Sequence, residues 1–187
     1  VQAVEAALGA HYLADGEELF GGFVSMLTHD ALVGVQDRHH ENWGVIVQRE
    51  VVGPPPRFAP LYDSARGLFC NEPEERLGRF KGLAGDQRLH NYVERSRPLV
   101  GFDGLLPSKK RQFITHQELI GAVYRAYPRH RRRITNILEA YDWKRVRDEL
   151  DDGVGDYFSG HRRTLVLICL RRRLLAIRRV LDGPRLD

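Results

Sequence analysis

The glycine–proline run at residues 53–56 constrains the fold of this chain most strongly. Proline fixes φ and carries no amide donor, so three consecutive prolines after a glycine force a turn. The apolar residues 43–47 precede this run and residues 58–62 follow it, and both segments have the composition of short strands. The sequence therefore predicts one β-hairpin, whose second strand ends at Asp63.

Helical patterns flank the predicted hairpin on both sides. Apolar residues at roughly helical spacing between Leu19 and Leu32 predict an amphipathic helix that ends near Gly34. Thr115 and Glu118 have the spacing of a capping box and predict a helix start. The four glycines within residues 64–86 predict a long loop. The remaining helices are predicted at residues 2–9, 87–96, 115–127, 132–140, 143–150 and 159–181.

The composition is that of one globular domain, and the predicted elements make it an α+β domain that is mainly α. The 187 residues are 42% hydrophobic and 29% charged. We divide them into a helical lead-in at 1–33, loops with the hairpin at 34–66, and a helical subdomain at 67–187. Cys70 and Cys169 match no metal or disulfide spacing, which fits a reducing cytoplasm. The net charge of +4 is too small to indicate nucleic-acid binding, and no apolar run is long enough to span a membrane.

The polar segment at residues 37–42, Asp-Arg-His-His-Glu-Asn, carries the clearest chemical signal. It lies between the predicted helix and the hairpin, and Asp63 follows the second strand. Phosphoryl transfer from ATP needs a carboxylate that takes the acceptor proton, and oxygen ligands that hold Mg²⁺ against the phosphates. Asp37 can supply the first, and Asn42 with Asp63 can supply the second, because the hairpin would bring them to one edge of a cleft.

Two segments resemble the catalytic and metal-binding motifs of HipA-like kinases: Asp-Arg-His-His-Glu-Asn-Trp-Gly at 37–44 and Phe-Ala-Pro-Leu-Tyr-Asp at 58–63. The first is also similar to the Asp-Arg-His-x-x-Asn motif of phosphatidylinositol kinases. The resemblance covers nearly the whole chain. Its downstream parts are Arg95-Ser96, Lys109-Lys110, residues 115–120, Tyr127-Pro128, Phe158-Ser159 and Arg162-Arg163.

The resemblance implies the fold, cofactors and partners of a kinase. It implies a kinase-like C-lobe in which Asp37 is the catalytic base and Asn42 and Asp63 bind Mg²⁺ and, through it, ATP. His39 belongs to the same catalytic loop and is predicted to brace it by hydrogen bonds. Members of the family phosphorylate Ser or Thr of proteins, and some are toxins neutralised by a helix-turn-helix antitoxin, which is therefore a candidate partner.

The chain departs from this family at two points. It contains no Gly-rich phosphate loop and no strand lysine for the phosphates, both of which precede this region in the family. We therefore expect a piece without the N-terminal ATP-binding lobe, inactive by itself; a separate ATP-binding chain and an inactive protein are the alternatives. Glu41 also stands where many relatives carry lysine.

Four other interpretations compete with a protein kinase. Asp and Asn also commonly shape turns. Loss of Asp37 or Asp63 would favour a pseudokinase or binding module of the same fold, but both residues are present. The Asp-Arg-His motif allows a phosphatidylinositol-kinase-like enzyme. A metal-dependent hydrolase would use His39, His40 and Asp63, but adjacent histidines on an extended loop point apart. A basic nucleic-acid-binding protein lacks a base-reading motif here.

Overall fold

The computed structural model describes residues 1–48, 53–64, 66–102 and 114–183, which form a mainly helical domain with one small hairpin. Lys109-Lys110, part of the family resemblance, lie outside the described residues. No helix in these ranges is both long and apolar enough to cross a membrane. The helices are α1 (Gln2–His11), α2 (Gly16–Val33), α3 (Glu74–Leu77), α4 (Gly82–Glu94), α5 (His116–Ala126), α6 (Arg131–Glu139), α7 (Trp143–Asp148) and α8 (Gly160–Leu181).

Helix α2 forms the centre of the domain. It packs against α1, α5, α6 and α8, so it is buried on most of its faces rather than on the single face that an amphipathic helix would bury. Phe20 and Phe23 are 1% exposed, and Met26 is fully buried. The long helix α8 packs against α5 on one side and against α3 and α4 on another, joining the two apolar clusters of the domain.

The helix termini follow the local sequence signals closely. Thr115 caps α5 with the predicted capping box, in which its side chain and that of Glu118 each bond the other's backbone N–H. Ser159 caps α8 by accepting a hydrogen bond from the N–H of Arg162. Gly34 ends α2 in the left-handed conformation, with φ of 76°. These predictions are confirmed because each depends on side-chain chemistry within a few residues.

The hairpin exists, but it is much shorter than predicted. Strand β1 (Val45–Ile46) pairs antiparallel with β2 (Arg57–Phe58), and Ala59 N–H adds one further bond to Gly44 O at 2.9 Å. Trp43 stacks on Phe58, which seats the hairpin on α2. The predicted strand at 58–62 is therefore wrong beyond Phe58, and Asp63 lies five residues past the strand end, in irregular chain.

The predicted loop at residues 64–86 is also wrong in its second half. Helix α3, a 3-10 turn at Gly78–Phe80 and the start of α4 all lie within it. Gly85 is helical and buried, and a Cβ there would meet the Phe80 backbone at 2.1 Å. Gly85 allows the backbone of α4 to lie directly against that of Phe80. Its glycine therefore reflects close packing in a helix, and not the loop that the local glycine content predicts.

Candidate active site

The candidate residues lie on two loops next to the end of α2, which we call the site loops: residues 35–44, and 59–64 with 66–70. The first loop begins where Gly34 turns the chain, and the N–H of Val35 bonds to Asp30 O at 3.0 Å. The second loop approaches the same helix end, because Leu68 N–H bonds to Val33 O at 3.2 Å. The C-terminus of α2 is therefore the common support of both loops.

Arg38 joins the two site loops to α2 through all five of its N–H donors. Its Nε and Nη2 donate to the two carboxylate oxygens of Asp30, both at 2.8 Å. Its Nη1 donates to the carbonyls of Asn42 at 2.8 Å and Tyr62 at 2.6 Å, and Nη2 also reaches Ser64 Oγ at 3.1 Å. Since a guanidinium has five N–H groups, none is left for a ligand.

The Arg38–Asp30 pair is almost completely buried. Both side chains are about 2% exposed. Burial by itself raises the pKa of Asp30, but the hydrogen bonds and charge of Arg38, with a smaller effect of His29, outweigh it and leave the pKa below its usual range. Asp30 therefore stays ionised at neutral pH and fixes the guanidinium that positions the site loops.

Asp37 and Asn42, the first two candidate residues, are held against each other. Asn42 is 5% exposed, and its Nδ2 donates to the backbone oxygen of Asp37 at 2.8 Å. This bond directs the amide nitrogen to the loop backbone and leaves Oδ1 as the amide's remaining polar atom. The side chain of Asp37 is 34% exposed, so its carboxylate is open to a substrate.

Asp63 lies beside the same cluster with its side chain open to solvent. Its φ of 48° is in the left-handed region, which non-glycine residues rarely occupy and which is concentrated at functional sites. Its flanking residues Tyr62 and Ser64 both bond to Arg38. The pKa of Arg38 is raised mainly by its hydrogen bond to Asp30 and, to a smaller extent, by the charge of Asp63. Arg38 thus links the residues on either side of Asp63 to the loop that carries Asp37 and Asn42.

His39 and His40 do not form a metal site with their neighbours. The Nδ1 atom of His39 accepts a hydrogen bond from the Glu41 N–H at 3.3 Å, a contact that braces its own turn. The two imidazole rings are 6.0 Å apart and tilted by 60°. Within the described residues, no three His, Cys, Asp or Glu side chains gather as a metal-binding group. This geometry disfavours the hydrolase interpretation.

Arg66 is a site residue that the sequence did not indicate. Its Nε lies 3.0 Å from Asp37 Oδ2, although its guanidinium is 60% exposed. It follows Asp63 by three residues and precedes a strained turn in which Leu68 and Phe69 have φ of 46° and 66°. Spacing along the chain gives no signal for this pair, because it depends on the course of the second site loop.

The strained turn after Arg66 is clamped by two other parts of the chain. Tyr92 of α4 accepts a hydrogen bond from Phe69 N–H at 3.0 Å and stacks its ring on that of Phe69. Arg162 of α8, which is 7% exposed, donates to Phe69 O at 2.8 Å and to Glu72 O. Helices α4 and α8 thereby hold this part of the second site loop in place.

Comparison with known proteins gives a fold but no family. No protein-family model matches the chain, and no curated protein matches it significantly. A solved structure, that of the Helicobacter pylori proinflammatory kinase CtkA, superposes with a TM-score of 0.61 at 18% sequence identity. The match covers 97% of this chain and 63% of that kinase. The chain therefore has a kinase-like fold and spans about 63% of the length of the kinase that it resembles.

Proposed function

We propose that this chain is the catalytic lobe of a HipA-like kinase that transfers the γ-phosphate of ATP to a Ser or Thr hydroxyl of a protein. The observation that carries the proposal is the set of five hydrogen bonds made by the buried Arg38 guanidinium, which we call the Arg38 hub. One buried guanidinium bonds the backbone of Asn42 and of Tyr62, the residue before Asp63. Asn42 in turn bonds the backbone of Asp37. Three residues of the type that phosphoryl transfer requires are thus supported by one connected network.

Asp37 is the general base of the proposed reaction. Its carboxylate is ionisable and partly open, and it lies on a loop whose backbone is fixed by Asn42. It would accept the hydroxyl proton of the acceptor as the acceptor oxygen approaches phosphorus. Proton transfer by a positioned side chain contributes on the order of 10²–10⁴-fold to a rate.

Asn42 and Asp63 fit the requirements of a magnesium site. Mg²⁺ takes hard oxygen ligands, and it often uses only one or two protein groups with phosphate and water as the rest. The amide of Asn42 is oriented by its Nδ2 bond, and the carboxylate of Asp63 forms no ion pair with any described residue. When bound, Mg²⁺ would neutralise charge on the transferring phosphate. This chain's own part is to hold the two oxygens at fixed positions.

The second candidate function is a phosphatidylinositol-kinase-like activity, which the Asp-Arg-His motif at residues 37–39 favours. Both candidates use the same three residues and differ only in the acceptor. Assays with radiolabelled ATP and either casein or phosphatidylinositol vesicles separate them. We expect label in protein and none in lipid.

Substitution of Asp37 tests the proposed chemistry. In the longest natural polypeptide that contains this chain, Asp37→Asn should lower phosphoryl transfer by about 10²–10⁴-fold, because the base is lost. Thermal unfolding should change little, since the side chain is partly exposed. Asp156→Asn, at an exposed carboxylate remote in sequence from the site, is the matched control. Near-wild-type transfer by Asp37→Asn would remove Asp37 from the role of base.

Substitution of Asn42 and Asp63 tests the metal assignment separately. Asn42→Ala and Asp63→Ala should weaken ATP binding measured by calorimetry much more in the presence of Mg²⁺ than in its absence. Equal losses under both conditions would contradict metal binding by these oxygens. Nucleotide binding by the wild-type polypeptide without any phosphoryl transfer would instead favour a pseudokinase.

A further inference from the structure

Among the described residues, two arginines contact the candidate residues, and they differ in how many of their N–H donors are already used. Arg38 is buried and uses all five N–H groups on protein acceptors. Arg66 is 60% exposed and contacts Asp37 through Nε. Apart from this contact with Asp37, Arg66 forms no ion pair or hydrogen bond with a described residue. Arg66 is therefore the arginine of this pair that can bind an anion without dismantling the loops.

The position of Arg66 is fixed by packing rather than left to a free loop. The next residue, Gly67, fits so tightly against α2 that a Cβ there would lie 2.5 Å from Val33 Cγ1. Leu68 N–H bonds to the carbonyl of the same Val33, and Phe69 is held by Tyr92 and Arg162. Backbone strain that the surroundings hold in place is typical of functional segments.

The negative charges of the site loops would repel a phosphate group unless a cationic side chain lies beside them. Asp37 and Asp63, the two carboxylates of the proposed site, and the exposed Glu41 are all negatively charged residues of the site loops. Guanidinium groups bind phosphate with two parallel hydrogen bonds, and they are worth most where negative charge develops in the transition state. Glu41 cannot supply this, since it has the wrong sign and faces His39, with its Oε2 3.8 Å from Nδ1.

We propose that Arg66 binds the γ-phosphate of ATP and pairs with Asp37 when no nucleotide is present; this inference rests on the proposed function. As Mg-ATP enters, the terminal amino groups of Arg66 bond the oxygens of the γ-phosphate, and Asp37 is released to act as base. The acceptor hydroxyl gives its proton to Asp37 and its oxygen bonds to the γ-phosphorus. The bond from that phosphorus to the β,γ-bridging oxygen breaks, and its electron pair leaves with ADP.

This role predicts discrimination between nucleotides that differ in the γ-phosphate. Calorimetry with Mg-AMP-PNP and with Mg-ADP on the longest natural polypeptide tests it. Arg66→Ala should weaken AMP-PNP binding by about 10-fold, as expected for a lost charge-assisted hydrogen bond, and leave ADP binding within about twofold. The kcat for transfer should fall by about 10²–10³-fold. Arg66→Lys should have a kcat between those of wild type and Arg66→Ala, because lysine keeps the positive charge but lacks the two parallel N–H donors of a guanidinium.

Matched controls separate this inference from the proposed function. Arg76→Ala, at an exposed arginine on α3, should leave both affinities and the kcat unchanged. Equal losses for AMP-PNP and ADP in Arg66→Ala, or no loss in either, would overturn the role of Arg66 while leaving the kinase proposal intact. A wild-type protein that binds neither Mg-nucleotide would overturn both.

Discussion

The helical core and the site loops are stabilised by different kinds of interaction. In the core, α2 buries leucine and phenylalanine side chains against α1, α5, α6 and α8, and many contacts share the stabilisation. In the site loops, the guanidinium of Arg38 makes five hydrogen bonds, which join α2 to both site loops. A single substitution in the core should therefore remove only part of its stabilisation, whereas the geometry of the site loops depends on Arg38.

The site loops keep their geometry without a regular strand beneath them. The hairpin has only two residues in each strand, and Asp63 lies beyond it. Hydrogen bonds to a buried charge are stronger than those between neutral groups, so a few can replace a regular ladder. The weakness of this solution is that loss of one partner leaves the other charge buried and unpaired.

The largest expected effect is that of Arg38→Ala. Removal of the guanidinium leaves Asp30 charged and buried, which should lower the free energy of unfolding by about 3–5 kcal/mol. Urea unfolding followed by circular dichroism measures this loss. If Arg38→Ala unfolds no more easily than an exposed change such as Arg76→Ala, Arg38 is not the hub that we describe.

A double substitution sharpens the same test. Arg38→Met together with Asp30→Leu removes both charges and should recover much of the lost stability, because replacing a buried pair by apolar groups is often nearly neutral. Phosphoryl transfer should stay absent, since the carbonyls of Asn42 and Tyr62 lose their common donor. Recovery of activity in the double variant would show that the bonds from Arg38 to the site loops are not needed for phosphoryl transfer.

The second expected effect is a loss of folding stability at acid pH, caused by the buried His116 of the core. Burial, with a smaller effect of Arg173, lowers the pKa of His116 to about 3, although Asp30 and a hydrogen bond with Val35 oppose this. The unfolded chain binds this proton near pH 6.5, so stability present above that pH is lost as the pH falls towards 3. The free energy of unfolding should fall by at most about 1.4 kcal/mol for each pH unit over this range.

Histidine variants measured by urea unfolding across this pH range check the assignment. His116→Asn should flatten the dependence between pH 6.5 and 4, because the titrating group is gone and an amide can keep one hydrogen bond. His11→Asn, at an exposed position on α1, should leave the dependence unchanged. Identical pH profiles for the two variants would exclude His116 as the origin.

The third effect lies at the junction of core and site loops. Gly34 has φ of 76°, and a Cβ there would lie 2.4 Å from Arg173 Cζ, a side chain that is 2% exposed. Gly34→Ala should cost about 2–4 kcal/mol through backbone strain and overpacking. Gly9→Ala, in the exposed part of α1 with nothing within 4 Å of the new Cβ, should instead stabilise by about 0.5–1 kcal/mol. Thermal denaturation of both variants measures the contrast.

The smallest effect concerns the direct contact between the site loops. Tyr62 Oη donates to Glu41 O at 2.9 Å, and both groups are exposed. Tyr62→Phe should cost about 0.5–1.5 kcal/mol or less, because water can replace the lost donor. Amide hydrogen exchange in residues 37–44 should rise slightly. A loss as large as that of Arg38→Ala would mean that Tyr62, and not Arg38, holds the loops together.

The sequence by itself determined the features that depend on neighbouring residues. The end of α2 at Gly34, the capping box at Thr115 and the start of α8 at Ser159 all follow from local hydrogen-bonding chemistry, and the structure confirms them. The polar segment at residues 37–42 and Asp63 could be selected as candidates for the same reason. Their residue types already carry the chemistry, whatever surrounds them.

Only the tertiary structure decided how those candidates are held. An arginine at position 38 has no local sign that it will be buried, because its five acceptors come from α2 and both site loops. The pairing of Arg66 with Asp37 and the left-handed backbone of Asp63 likewise depend on where distant segments pass. Burial of a charged side chain costs free energy unless several hydrogen-bonding partners surround it. Local sequence periodicity cannot predict where those partners will meet.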